Sequence, residues 1–305
     1  MNSFATFFDT AWKRRQELRE RADTDCYRLF NGLGDGFGGV EIDRYGAALV
    51  IRSQDLKAEE ILTVVDPYLN QPTVVFKTGH HGREPLQLLR GDGAPQIVSE
   101  LGLRFQVEPH AATNPGLYLD ARPCRQWLVE HCQQRRVLNL FSFTGSLGVA
   151  ALAGGARSVE HVDGQRRSLS RAVENHKLNT LHVDGRDFVK SDVYPYLKAC
   201  IKKKRCFGGI ILDPPPKIPG RGNQDLAELL QLCQPLVQNN NDSDDRDDRD
   251  DRGWVIVLVH EEDTVIDDIA AIAEFEVSHR GKAGEDFPRL GDYHGMRWYV
   301  LKRGR

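Results

Sequence analysis

RVLNLFSFTGSLGVAALAG, residues 136–154, carries the reading of the fold. A short, almost wholly apolar run over 136–141 passes into Ser142-Phe143-Thr144-Gly145-Ser146, and a helical run opens with Leu147-Gly148-Val149-Ala150. This is a strand, a turn and a helix. A turn of small and hydroxyl residues at a strand's carboxyl end lets a ligand approach the backbone, and the helix beyond it offers free N–H groups. Only Gly145 and Gly148 stand where a G-x-G-x-x-G pattern would need three glycines. A pyrophosphate would be poorly cradled, which disfavours NAD and FAD.

Working outward, strand-like runs at 158–163, 187–191, 207–213 and 254–259 alternate with helical runs at 146–153, 165–179, 193–203 and 223–236. Short apolar strands separated by helices predict a parallel sheet covered on both faces, an α/β doubly wound domain. Its second strand closes with Asp163, placed to accept both hydroxyls of a ribose. Ribose without pyrophosphate points to an adenosyl cofactor. After the third strand, Asp192 either accepts an adenine amino group or caps the next helix. The fourth ends in Leu212-Asp213-Pro214-Pro215-Pro216-Lys217, where prolines continue neither sheet nor helix and make a rigid lip.

Before this domain, residues 4–22 read as an amphipathic helix with a solvated basic face. Strand-like runs broken by Gly34, Gly36, Gly38, Gly39 and Gly46, a helix over 56–66 and further short strands follow. Residues 1–110 are therefore expected to form a smaller N-terminal α+β domain, with 111–305 as the second domain. In all, 305 residues suit two domains. No apolar run nears the roughly 20 residues that cross a bilayer, and a basic-then-apolar leader is missing, so a cytoplasmic location is expected. Six cysteines without a CxxC pair predict reduced thiols and no metal site. The run 239–253 holds seven Asp and three Arg. It reads as a solvated insertion entering a strand from the edge remote from the site. Lys202 to Arg205 arrive from that same edge, where basic charge suits a helix C-terminus. His80-His81 and His260 read as structural or exposed, and Trp298 with Tyr299 as core.

GLYLDAR (116–122), NLFSFTG (139–145), Asp163, SDVYPYL (191–197) and LDPP (212–215), taken together, resemble the bacterial large-subunit ribosomal RNA methyltransferases of the cytosine-C5 and guanine-N7 type. The run 27–46 is similar to the central domain of the cytosine-C5 branch. The resemblance implies a class I, Rossmann-like methyltransferase domain using S-adenosyl-L-methionine, with RNA, ribosomal RNA above all, as partner. It implies a cofactor site of Tyr118, Asp120, Arg122, Asn139, Phe141, Ser142, Thr144, Gly145, Asp163, Asp192 and Asp213. Asp213, Pro214 and Pro215 would face the methyl group and the base. The N-terminal domain becomes a candidate for RNA contact, since the extra RNA-binding domain of the cytosine enzymes is missing in front of it.

Cytosine C5 needs a cysteine thiolate added to the ring, and in that branch the cysteine is expected just after the fifth strand. Here Val259 is followed by His260-Glu261-Glu262. Direct transfer is expected instead, and guanine N7, which carries its own lone pair, is favoured. Asp286-Phe287 and His294 to Tyr299 resemble the ending of the N7 branch. Methylation of a protein or small molecule, and a non-catalytic RNA-binding or assembly factor, stay open as alternatives.

Overall fold

The computed structural model describes residues 3–79, 86–111, 114–215, 225–238, 252–259, 266–288 and 295–304. Pro216, Lys217, His80-His81, His260 to Glu262, His294 and nearly all of the acidic run lie outside the described residues. The chain forms two compact units, Met1–Arg122 with Ala283–Gly295, and Pro123–Lys282 with Met296–Arg305. The division falls at Arg122 where 110 is the boundary expected from sequence. Two hydrogen bonds explain the shift: Tyr45 Oη donates to the Leu117 carbonyl at 3.1 Å, and the Arg28 N–H donates to Asp286 Oδ2 at 2.9 Å.

In the first unit α1 (Phe4–Arg14) buries Phe4, Phe8 and Ala11, spaced as one helix face, and α2 (Gln16–Glu20) follows after a break at Arg15. The expected solvated basic face is corrected at this break. Arg15 is 2% exposed and grips Asp35 with Nη2 2.7 Å from Oδ2, because a buried guanidinium requires a paired carboxylate. Strands β1 (Cys26–Asn31), β2 (Val40–Tyr45) and β3 (Ala48–Ser53) form an antiparallel meander. Helix α3 (Ala58–Val65) then returns the chain to β4 (Thr73–Thr78), parallel to β3, and β5 (Leu86–Arg90) closes the sheet. A separate hairpin pairs β6 (Gln96–Glu100) with β7 (Leu103–Val107) through Leu101 and Gly102, both at positive φ as a tight hairpin turn demands.

The second unit opens with α4 (Arg122–His131), whose first residue closes the unit before it. The alternation then appears as read: β8 (Arg136–Leu140), α5 (Ser146–Ala153), β9 (Ser158–Asp163), α6 (Arg166–Leu178), β10 (Phe188–Lys190), α7 (Val193–Lys202), β11 (Gly209–Leu212), α8 (Asp225–Cys233) and β12 (Trp254–Val259). Helix α9 (Ile266–Ile272), β13 (Phe275–Lys282) and β14 (Arg297–Arg303) complete it. The sheet runs β10-β9-β8-β11-β12-β14-β13. Its first five strands are parallel, while β14 pairs antiparallel with both β12 and β13. The wholly parallel sheet expected from sequence therefore gains an antiparallel edge. Trp298 and Tyr299 on β14 are buried, as core residues should be.

The chain moves from β8 to β9 and β10 on one side, then crosses back to β11 on the other. That reversal opens a crevice beyond the carboxyl ends of β8 and β11, where open α/β sheets bind ligands. Leu138, Leu140, Leu212, Val255 and Val257 fill the core beneath this edge.

Candidate active site

Strand register brings the sequence motifs to one edge. Leu140 pairs with Leu212 and with Val162, and Asp163 pairs with Lys190. The next residues, Phe141, Asp213 and Ser191-Asp192, with Asp163 itself, therefore leave the sheet side by side.

The turn after β8 is wound unusually tightly. Phe141 and Phe143 stand at φ 54 and 46, and Gly145 at φ 76. Left-handed backbone in a bulky residue costs about 1–3 kcal/mol and survives only where the surroundings impose it. The bonds that impose it are present. Ser142 donates its N–H to the Val162 carbonyl at 3.1 Å, and Phe143 N–H donates to Asp163 Oδ2 at 2.8 Å. Gly145 N–H closes the turn on the Ser142 carbonyl, and Asn175 Nδ2 donates to the Thr144 carbonyl, both at 2.8 Å. At Gly145 a Cβ would press on the Ala172 side chain at 2.8 Å, so this position accepts neither another backbone shape nor another side chain.

Asp163 is half-buried and also accepts the Gln165 N–H at 2.8 Å through Oδ1. Each of its oxygens takes one backbone donor and keeps a second acceptor direction. Asp192 accepts the Tyr194 N–H at 2.9 Å and caps α7. Its carboxylate is exposed. Asp213 and Pro214 are half-buried and Pro215 is exposed. Two buried polar atoms at the edge find no hydrogen-bond partner among the described residues: Ser142 Oγ and Asn139 Oδ1. Such atoms cost free energy unless something satisfies them.

Tyr118, Asp120 and Arg122 belong to the first unit. Tyr118 is 46% exposed and Asp120 half-buried. Arg122 is buried and committed to an ion pair with Asp286 through Nη2 and Oδ1.

The side chains of Asn175, Arg125 and His161 escaped the sequence reading. Asn175, fully buried on α6, clamps the turn. Arg125, fully buried on α4, points Nη1 at Ser146 Oγ, 3.4 Å away at the start of α5. His161 and Gly148 fit each other, since a Cβ on Gly148 would overlap the imidazole. Only the RPCR spacing after GLYLDAR and the glycine one turn into α5 hinted at any of them. All six cysteines are free. Burial raises the thiols of Cys124 and Cys233, the latter to about 12, so neither is a ready thiolate.

Residues 86–232 match the family described as S-adenosylmethionine-dependent methyltransferase. YwbD of Bacillus subtilis is 32% identical over 224 residues, 70% of this chain and 57% of that protein. The Ribosomal RNA large subunit methyltransferase I of Erwinia tasmaniensis is 32% identical over 254 residues, 75% of this chain and 64% of its own. The chain thus spans about three fifths of the curated relatives it matches. Among solved structures, SMU.776 complexed with SAH superposes with a TM-score of 0.86 at 23% identity, covering 98% of this chain and 80% of that one. The SAM-dependent methyltransferase of Agrobacterium tumefaciens gives 0.68 at 17%, covering 93% and 91%. Both likenesses concern the fold.

Proposed function

We propose that the chain, whose residues 86–232 match the S-adenosylmethionine-dependent methyltransferase family through the stretch that carries the crevice, transfers the methyl group of that cofactor directly to RNA, ribosomal RNA first, with guanine N7 as acceptor. One observation carries the reading: a strained turn at the switch point, held by Asp163, beside two buried polar atoms that lack partners among the described residues. That set suits an adenosyl ligand, which brings donors and a ribose and has no diphosphate to cradle.

Asn139, Phe141, Ser142, Thr144 and Gly145 would line the cofactor, Asp163 would hold the ribose and Asp192 the adenine. When bound, the cofactor supplies a methyl group on a positively charged sulfur. Asp213 with Pro214 and Pro215 would set the acceptor base in line with it, and positioning in a water-poor crevice is the main demand when the acceptor owns a lone pair. The protonated thiols of Cys124 and Cys233 support a route without a covalent cysteine adduct. RNA contact is assigned to the first unit, where Tyr68 is exposed at the surface. A base inside a helix would have to be flipped out.

Tritiated-methyl transfer to ribosomal RNA from a strain lacking the gene tests the reading, followed by mass-spectrometric identification of the modified nucleoside. Incorporation as 7-methylguanosine, abolished by Asp213→Ala, is the expected result. Calorimetric binding of NAD in place of S-adenosylhomocysteine, or labelled 5-methylcytosine, would overturn it.

A further inference from the structure

Behind the strained turn, Asn139 begins a chain of buried polar side chains whose two histidines the cofactor reading does not use. Asn139 on β8 places Nδ2 3.3 Å from His161 Nδ1 on β9. His161 Nε2 lies 3.2 Å from His176 Nε2 on α6, and His176 Nδ1 lies 2.8 Å from the Ala172 carbonyl. All three side chains are at most 2% exposed.

The protons in this chain have a single consistent arrangement. A carbonyl oxygen only accepts, so His176 Nδ1 carries hydrogen and donates to Ala172. A neutral His176 then has a lone pair on Nε2, and the facing His161 Nε2 must donate to it. His161 Nδ1 is left with a lone pair and must accept. The Asn139 atom facing it is therefore the amide nitrogen, which turns Oδ1 away as an acceptor. A carbonyl on α6 thus fixes the orientation of an amide at the end of β8, through two imidazoles.

The surroundings hold this state. Phe188 stacks on His161 at 5.1 Å with an interplanar angle of 3° and meets His176 edge-on at 5.0 Å. Burial, and for His161 also the neighbouring imidazole, keeps both histidines below their ordinary range, so neither carries charge at neutral pH. Gly148 leaves His161 its space at the start of α5, and Asn175, next to His176, holds the Thr144 carbonyl. The same patch of α6 therefore touches the turn directly and also reaches Asn139 through the imidazoles.

We propose that Asn139, His161 and His176 form a neutral buried relay of positioning residues that keeps the turn 139–145 in its cofactor-binding shape and presents Asn139 Oδ1 to a donor group of the cofactor. This rests on the cofactor reading given above. The orphaned Oδ1 supports it, since the amide oxygen of a residue 1% exposed, with no partner among the described residues, is costly until a ligand supplies a donor.

The test uses the full chain labelled with 15N-histidine, read by long-range proton–nitrogen spectra, with S-adenosylhomocysteine binding measured by calorimetry. In the free protein His161 should be the Nε2–H tautomer and His176 the Nδ1–H tautomer. His176→Phe should weaken binding at least tenfold and leave His161 a mixture of tautomers. His176→Gln, whose amide oxygen can accept from His161, should restore binding to within about threefold. Asn139→Asp sets a carboxylate against His161 Nδ1 and should convert His161 to an imidazolium visible in the spectrum. An Nδ1–H tautomer at His161, or a folded His176→Phe protein that binds as tightly as the parent, would overturn the relay. Should the phenylalanine variant fail to fold, the tautomers of the parent protein and the glutamine variant decide. If the parent binds no S-adenosylhomocysteine while its tautomers match, the cofactor reading falls and the proton arrangement stands, which removes Oδ1 from any cofactor role.

Discussion

Replacing Asp163 tests the crevice at its hinge. Its two oxygens accept the N–H groups of Phe143 and Gln165, each at 2.8 Å. A hydrogen bond to a charged group contributes about 1.5–3 kcal/mol. Gln165 is exposed, so water takes over much of that bond when the carboxylate is removed. The Phe143 bond is different, because it holds a residue at φ 46 that would relax to ordinary backbone without it. Asp163→Ala should therefore release the turn at a cost of about 2 kcal/mol, a factor of roughly 30 in the population of the binding shape. Calorimetry should show the dissociation constant for S-adenosylhomocysteine rising by at least that factor, on top of any lost ribose bond. Asp163→Asn keeps one acceptor for Phe143 and can turn its NH2 toward the solvent side, so its loss should be smaller than that of alanine. An alanine variant that is folded and binds within threefold of the parent would refute both the clamp and the ribose assignment.

Four further outcomes are expected. Gly148→Ala forces a methyl group against His161, with Nε2 at 2.9 Å and Val159 Cγ1 at 3.0 Å; overpacking of about 1–3 kcal/mol should outweigh the helix-propensity gain of about 1, lowering the urea midpoint. Asp286→Ala strands the buried Arg122 and should cost about 3–5 kcal/mol in unfolding free energy, far more than a surface pair. His161 and His176 sit below their ordinary value in the folded chain, so the unfolded chain binds protons first. Stability should be flat above about pH 6.5 and fall below it, by about 1.4 kcal/mol per pH unit for each histidine still neutral in the folded state, and a level urea midpoint from pH 7.5 to 5 would contradict this. A thiol reagent should modify Cys206 rapidly and reach the five buried cysteines only on unfolding.

The alternation of 136–259 was legible because each parallel strand is short, has an apolar centre and is followed by polar turn chemistry, so periodicity and order together fix a doubly wound sheet. The positions of Asp163, Asp192 and Asp213 followed from the same rule, since strand ends are set locally. What local sequence does not carry is partnership. Arg15 reads as a solvated helix residue until Asp35 is found beside it, and the carboxylate that pairs with the buried Arg122 belongs to Asp286, 164 positions later. The antiparallel β13–β14 edge, the Asn175 clamp and the histidine chain depend on side chains brought together from distant elements. The amino-acid order by itself set the strands, the helices and the edge at which chemistry gathers. Tertiary structure decided which buried charges and amides are paired, because desolvation makes each of them costly until a specific neighbour, chosen by the fold, arrives.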